Sequence, residues 1–240
     1  MKITAKDATV LINGYKLSTF TTAYEAVAGV DPVEITGFGD GSHNFTPGQN
    51  ISSMALDMLW SSTAGDVHTA LGALTSGQVT IIPEVYALGC PSFSMPFMQE
   101  NYNPGGDPSS AIKVGSIKFD ALGNDAKLFF GVILQQGSIT DTLTGASVLD
   151  PSNAAQTAAC GAVLHIWTAA AADTYVVKVQ HSANDSTWAD LITFTADGST
   201  ITSERQVVAS GTINKYRRVL ATRTGSAGNT FGFSVHFFIK

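Results

Sequence analysis

Phe231-Gly232-Phe233-Ser234-Val235-His236-Phe237-Phe238-Ile239-Lys240 decides the fold class. Phe231, Phe233, Val235, Phe237 and Ile239 recur at every second position, against Gly232, Ser234, His236 and Lys240. Successive side chains of a strand point to opposite faces of its sheet, so this period describes a strand with one face on a core and the other facing away from it.

The same period extends upstream. In 51–60, Met54, Leu56, Met58 and Trp60 share one face, and Ser53, Ala55 and Asp57 the other. Ile117 and Phe119 alternate with Ser116, Lys118 and Asp120. Residues 128–134 are apolar on both faces, which places them centrally between two layers. Further strands are expected at about 163–168, 174–182, 190–195, 203–210, 213–222 and 230–239, with turns at Asn184-Asp185-Ser186 and Asp197-Gly198-Ser199.

One segment breaks the period. Thr63 is placed to cap a helix over 64–75 in which Val67, Ala70, Leu71 and Leu74 form one stripe, with Asp66 near the positive end and Gly77 beyond its end. Two stretches rich in Gly and Pro read as long loops. The first, 21–50, holds Asp31-Pro32, the run Gly37-Phe38-Gly39-Asp40-Gly41, and Pro47-Gly48. The second, 85–114, holds Pro91, Pro96, Pro104 and Pro108 together with Phe93, Met95, Phe97 and Met98. That apolar cluster is costly to leave in water, so it either folds back on its own sheet or packs on a neighbouring subunit. In the second case, deletion of 90–108 is expected to weaken assembly and spare the fold. An Ala/Ser/Thr-rich stretch, 143–161, divides the chain into a region 1–145 and an antiparallel region 160–240, either a separate sandwich or the completion of the same domain.

Composition bounds the function. Charged residues make up 13% of the 240 residues, about half of the roughly 25% usual for soluble domains. Neutral surfaces suit protein contacts, where charges must be desolvated. The net charge of −6 opposes a role in holding nucleic acid, which needs clustered cations, though it permits a channel that DNA slides through. Cys90 and Cys160 are too few for a disulfide framework and are expected as free thiols. The start Met1-Lys2-Ile3-Thr4-Ala5-Lys6-Asp7 has no apolar signal core and no apolar run is long enough to span a membrane, which implies synthesis in a cytoplasm.

Catalytic, cofactor and metal sites are not expected. His43, His68, His165, His181 and His236 are scattered singly, without metal-ligand spacing. His181, Ser182 and Asp185 lie too close in sequence for a catalytic relay and read as a polar cluster fixing a turn. Gly37, Gly39 and Gly41 are not followed by a helix start able to present amides to phosphate. Lys215-Tyr216-Arg217-Arg218 is the one basic cluster; strand alternation halves it, and ion pairs at the surface or between subunits are favoured over DNA contact. Trp60, Trp167 and Trp188 are expected to pack in cores, with Trp188 the best candidate for a sugar platform.

Several blocks are familiar. Gly14-Tyr15-Lys16-Leu17-Ser18, then Val33-Glu34-Ile35-Thr36-Gly37-Phe38-Gly39-Asp40-Gly41-Ser42, then Pro47-Gly48 before a strand and helix, resemble the tail tube (major tail) proteins of long-tailed bacteriophages. The run 179–191 with 211–219 is similar to segments of phage tail structural proteins. The resemblance covers about half of the chain. It implies a mainly β fold, a tail-tube-like sandwich or barrel with one short flanking α-helix, extended by additional C-terminal antiparallel strands. It also implies a virion location and hexameric rings stacked into a conduit for DNA delivery, with DNA passing through without specific binding. Its implied partners are further copies of the chain and tail tip, tape measure and terminator proteins, with no cofactor and no membrane. Candidate contacts between subunits or rings are Phe38, Asp40, His43 and Phe45 in the first loop, Phe93, Met95, Phe97 and Met98 in the second, and Arg217 and Arg218. An acidic lumen is expected from the net charge, since a tube that conducts DNA should not trap phosphate. The competing roles are a capsid decoration or fibre-like adhesion module, possibly binding carbohydrate.

Overall fold

The alternating segments become paired strands in the computed structural model, which describes residues 7–240 apart from 39–40, 74–75, 107–109, 124–126, 171 and 226–227. In chain order these are β1 (Thr9–Ile12), β2 (Tyr15–Lys16), β3 (Thr21–Glu34), β4 (Phe45–Leu59), β5 (Ser76–Ile82), β6 (Pro91–Gln99), β7 (Pro104–Gly105), β8 (Lys113–Ala121), β9 (Phe129–Ile139), β10 (Leu143–Thr144), β11 (Val148–Leu149), β12 (Gln156–Thr168), β13 (Thr174–Ser182), β14 (Ala189–Thr193), β15 (Thr202–Ile213), β16 (Tyr216–Thr224) and β17 (Phe231–Ile239). One short helix, α1 (Val67–Leu71), lies between β4 and β5.

All pairings are antiparallel. The larger sheet has the order β15-β12-β17-β9-β6-β5-β1-β2, and β8 branches from β6 to carry β4, β3 and β7. The smaller sheet has the order β10-β16-β13-β14, with β11 also on β16. The fold is mainly β, an antiparallel sandwich and not a closed barrel. Tyr175, Val177 and Val179 of β13 pack with Val219 and Ala221 of β16 against Leu164, Ile166, Phe231, Phe233 and Val235 of the larger sheet. Tyr175 stacks on Phe231 with ring centres 4.4 Å apart.

A second core forms where the larger sheet bends at β6. That strand pairs with β9 through Pro91–Ser94 and with β8 through Phe97–Gln99. Pro96 falls at the change of neighbour, and its carbonyl accepts the Leu122 amide at 3.0 Å. Its missing N–H faces the same side, where the ladder is interrupted anyway. Val79, Ile81, Met95 and Phe97 therefore face Met54, Leu56, Ile117 and Phe119 across this core, with Val67 and Leu71 of α1 closing it.

The opening stretch is more deeply enclosed than its alternation suggests. Gly232, Ser234 and His236, expected away from the core, are buried as well. The larger sheet curls back on itself, so β5 and β6 cover the second face of β12 and β17. His165 meets Thr80 at 2.9 Å and His236 meets Ser92 at 2.7 Å across this polar seam. The β1–β2 turn is drawn in too: Gly14, at φ +86°, lies so close that a Cβ there would sit 2.6 Å from the carbonyl oxygens of Ile166 and Thr202.

Both expected loops contain strands. Residues 21–50 form most of a long β3–β4 hairpin, and 85–114 hold all of β6 and β7 and the start of β8. Since β6 is an interior strand between β5 and β9, deleting 90–108 removes part of the core and cannot spare the fold. The helix is shorter than 64–75. Gly65 at φ +88° precludes an earlier start, and the N-cap is Asp66, not Thr63. The C-cap is Gly72, and Leu74 lies outside the described residues. Downstream, β12 begins at Gln156 inside the stretch read as a divide, and β17 pairs with both β12 and β9, so one sheet spans the two regions.

Candidate assembly interface

From Ser53 onward β4 is flanked by β8, from the Ser53–Asp120 pair to the Leu59–Lys113 pair. Before that point, among the described residues, β3 and β4 have only each other as strand neighbours, paired from Ala28–Ser52 to Glu34–Phe45. The result is a two-stranded arm with solvent on both faces. An isolated hairpin is marginal in water, because it has no third strand or packed face to stabilise it. The arm nevertheless exposes Val27, Val30, Val33, Ile35, Phe38, Phe45 and Ile51. Gly48 is required by the close pairing, since a Cβ there would approach the Asp31 carbonyl oxygen to 2.4 Å.

Polar links shape the tip. The Ile35 amide donates to the Asn44 carbonyl at 2.9 Å, and the Thr36 hydroxyl donates to Glu34 at 2.8 Å. His43 Nδ1 lies 2.5 Å from the same Glu34 carboxylate, and the His43 ring stacks on Phe45 at 6.3 Å. The hydrogen bonds from His43 and then Thr36 hold the Glu34 carboxyl below the usual range. Charge along this part of the chain has one sign: no Lys or Arg occurs between Lys16 and Lys113, while the arm carries Asp31 and Glu34 and the inner parts of β3 and β4 carry Glu25 and Asp57. Beside the arm's base a cleft of about 370 Å³ is lined by Val27, Asn50, Ile51, Lys118 and Asp120.

The expected contact residues divide accordingly. Phe38, His43 and Phe45 are exposed together near the end of the arm, and Asp40 lies outside the described residues. Met95 and Phe97 are fully enclosed in the core beside β5 and unavailable to a neighbour. Phe93 is half-buried between Tyr24 and Phe130, with ring centres 6.3 Å from each, and Met98 is exposed. Arg217, expected at a surface or subunit contact, is buried with its guanidinium 2.5 Å from the Asp150 carboxylate and over the Phe237 ring. Burial raises the Asp150 pKa, but hydrogen bonds from Ser152 and Arg217 outweigh it and hold the carboxyl below its usual range. Arg218 lies 4.1 Å from the centre of the Trp188 ring and donates to Gln180, so the best candidate sugar platform is already stacked on a cation.

The remaining chemistry-bearing side chains are dispersed. His181 Nδ1 accepts the Asn214 amide, while Ser182 donates to Asn184, so the two serve separate turns. Cys90 and Cys160 are buried free thiols. Trp60 packs beside His68, and Trp167 beneath Lys16; both are half-buried. Among the described residues no three His, Cys, Asp or Glu side chains gather as metal ligands, and no helix is long and apolar enough to cross a membrane.

Val27, Val30, Ile35 and Ile51 were not singled out in the sequence. Their alternation is broken by a bulge between Val30 and Pro32, so the usual strand signal is lost there. The absence of cations from 17 to 112 was the readable sign of an unusual surface.

No protein-family model matches the chain, and no curated protein matches it. Among solved structures, the chain aligns with one in the structure of the infectious bursal disease virus Gx strain, at 11% identity and a TM-score of 0.32. The alignment covers 97% of this chain and 55% of that one, so the chain spans about half the length of its viral counterpart. A likeness at that score assigns neither fold family nor function.

Proposed function

We propose that this chain is a non-enzymatic structural subunit of a virion, assembling through the β3–β4 arm, and that the assembly is a bacteriophage tail tube. The observation that carries the reading is the arm itself: a two-stranded ribbon exposing Val30, Val33, Ile35, Phe38 and Phe45 gains burial once a partner covers it. The block Val33 to Gly48, on which the resemblance to tail tube proteins chiefly rests, forms the outer part of this ribbon. A head-to-tail contact between copies closes rings or propagates a filament, and both are required of a tube. In this account six copies form each ring, the rings stack into a conduit that passes DNA without binding it, and tail tip, tape measure and terminator proteins complete the tail.

Electron microscopy of the purified chain at high concentration tests this. Hollow rings or tubes are the expected result. Persistent monomers, even with tail-initiation partners added, would overturn the assembly reading; decoration of isolated capsids without ring formation would redirect it to a capsid decoration module.

A further inference from the structure

Two sheet edges have a strand neighbour on one side only among the described residues. On the outer part of the arm, β3 pairs with β4 and with no other described strand. At the end of the larger sheet, β15 pairs with β12 alone. The start of β15 is covered, because Glu204 accepts the amides of Thr195 and Ala196 from the segment after β14. Beyond it runs Gln206-Val207-Val208-Ala209-Ser210-Gly211-Thr212, with Val207, Ala209, Ser210 and Thr212 exposed. Sheet edges are normally kept from pairing with other chains by charge, proline or a bulge. This stretch has neither charge nor proline, and its one irregularity is the bulge between Val208 and Gly211.

We propose that the β15 edge from Gln206 to Thr212 receives β3 of a second copy's arm, so that the larger sheet continues from one chain into the next through backbone hydrogen bonds. The arm has two strands where independent stability takes three, and adding to an open edge supplies the third. Its outer part, Ala28 to Glu34, is as long as the edge that receives it. The alternatives within the chain are worse. β3 carries Glu25, Asp31 and Glu34 with no cation, and Pro32 lacks an N–H, so pairing β3 with β3 brings like charges together and loses donors on both strands. Pairing β15 with β15 closes an isologous dimer and consumes the edge. β3 on β15 is heterologous: every copy keeps one free arm and one free edge, as growth of a ring or filament requires. The inference rests on the assembly reading and names the two edges that meet.

Disulfide trapping and hydrogen exchange test it, with sedimentation velocity to follow assembly and circular dichroism to confirm folding. One set of chains carries Val27→Cys, Val30→Cys or Val33→Cys singly, and a second set carries Val207→Cys or Thr212→Cys; all five side chains are exposed, whereas the native Cys90 and Cys160 are buried. Each arm variant is mixed with each edge variant, allowed to assemble and oxidised mildly. Crosslinks between an arm chain and an edge chain are expected in at least one mixture, well above the yield of either chain alone. Amide exchange across 206–212 in the unaltered chain is expected to slow roughly tenfold or more on assembly, as new backbone hydrogen bonds form there. Assembled chains without arm-to-edge crosslinks, or with unchanged exchange at 206–212, overturn this contact while leaving the assembly reading intact. Crosslinks formed only between two edge chains mean that β15 meets its own copy, and equally overturn it. An unaltered chain that stays monomeric overturns the assembly reading and the contact together.

Discussion

His165 on β12 hydrogen-bonds Thr80 on β5, Nε2 to Oγ1 at 2.9 Å, and so joins strands from opposite ends of the larger sheet. The other ring nitrogen, Nδ1, lies 3.4 Å from the Gly14 amide, which can only donate; Nε2 therefore carries the hydrogen. His236 meets the Ser92 hydroxyl through its other nitrogen, Nδ1, at 2.7 Å. Burial pushes both imidazoles down to about 3, with the neighbouring His165 adding to the effect on His236.

This seam predicts acid sensitivity. A histidine depressed in the folded state keeps its full stability above the unfolded value of about 6.5 and loses it progressively as pH falls below that value. The loss is about 1.4 kcal/mol per pH unit for each histidine, or roughly 2 kcal/mol each between pH 7 and pH 5. Urea unfolding at pH 7, 6 and 5 should show this slope, and His165→Gln with His236→Gln should flatten it. A flat profile in the unaltered chain would contradict the buried neutral seam.

The Asp150–Arg217 pair makes a separate prediction. Arg217→Ala leaves the Asp150 carboxylate buried without its cation, which should destabilise the chain by roughly 3–5 kcal/mol. Replacing both residues with apolar side chains of similar size should recover much of that loss, as measured by chemical denaturation. Equal destabilisation by the single and double replacements would argue against the pair.

Gly14→Ala probes the inward turn between β1 and β2. The left-handed backbone alone costs about 1–3 kcal/mol for a residue with a Cβ, and the overlap with the Ile166 and Thr202 backbones adds to it. A lowered melting temperature is expected, and a neutral substitution would contradict the close approach of this turn to β12 and β15.

Much of the strand pattern was legible because apolar residues alternate where one face is core. Tyr175, Val177 and Val179 mark β13 over Thr174–Ser182, as expected from the sequence, and Met54, Leu56 and Met58 mark the inner half of β4. Legibility failed where burial was not apolar or where proline was tolerated. Gly232, Ser234 and His236 face a polar seam, which from sequence looks like solvent. Pro91 opens β6 and Pro96 sits where its neighbour changes, so a core strand resembled a loop. Of the contact candidates, Phe38, His43 and Phe45 lie on an exposed element, whereas Met95, Phe97 and Arg217 were hidden by pairings over long sequence distances.

The arm is the part of the structure most separable from the cores. Replacing residues 29–51 with Asn-Gly leaves Ala28 and Ser52, already paired, flanking a two-residue turn, and keeps the Ser52 hydroxyl that accepts the Leu128 amide at 3.1 Å. The shortened chain should unfold within a few degrees of the unaltered one, because the removed residues are largely exposed.

Sedimentation velocity of the unaltered and arm-shortened chains, side by side over a concentration series, shows whether copies associate through the arm. Ring-sized and larger species are expected for the unaltered chain and a folded monomer for the shortened one. Equal assembly by both, or monomers from both, would contradict it.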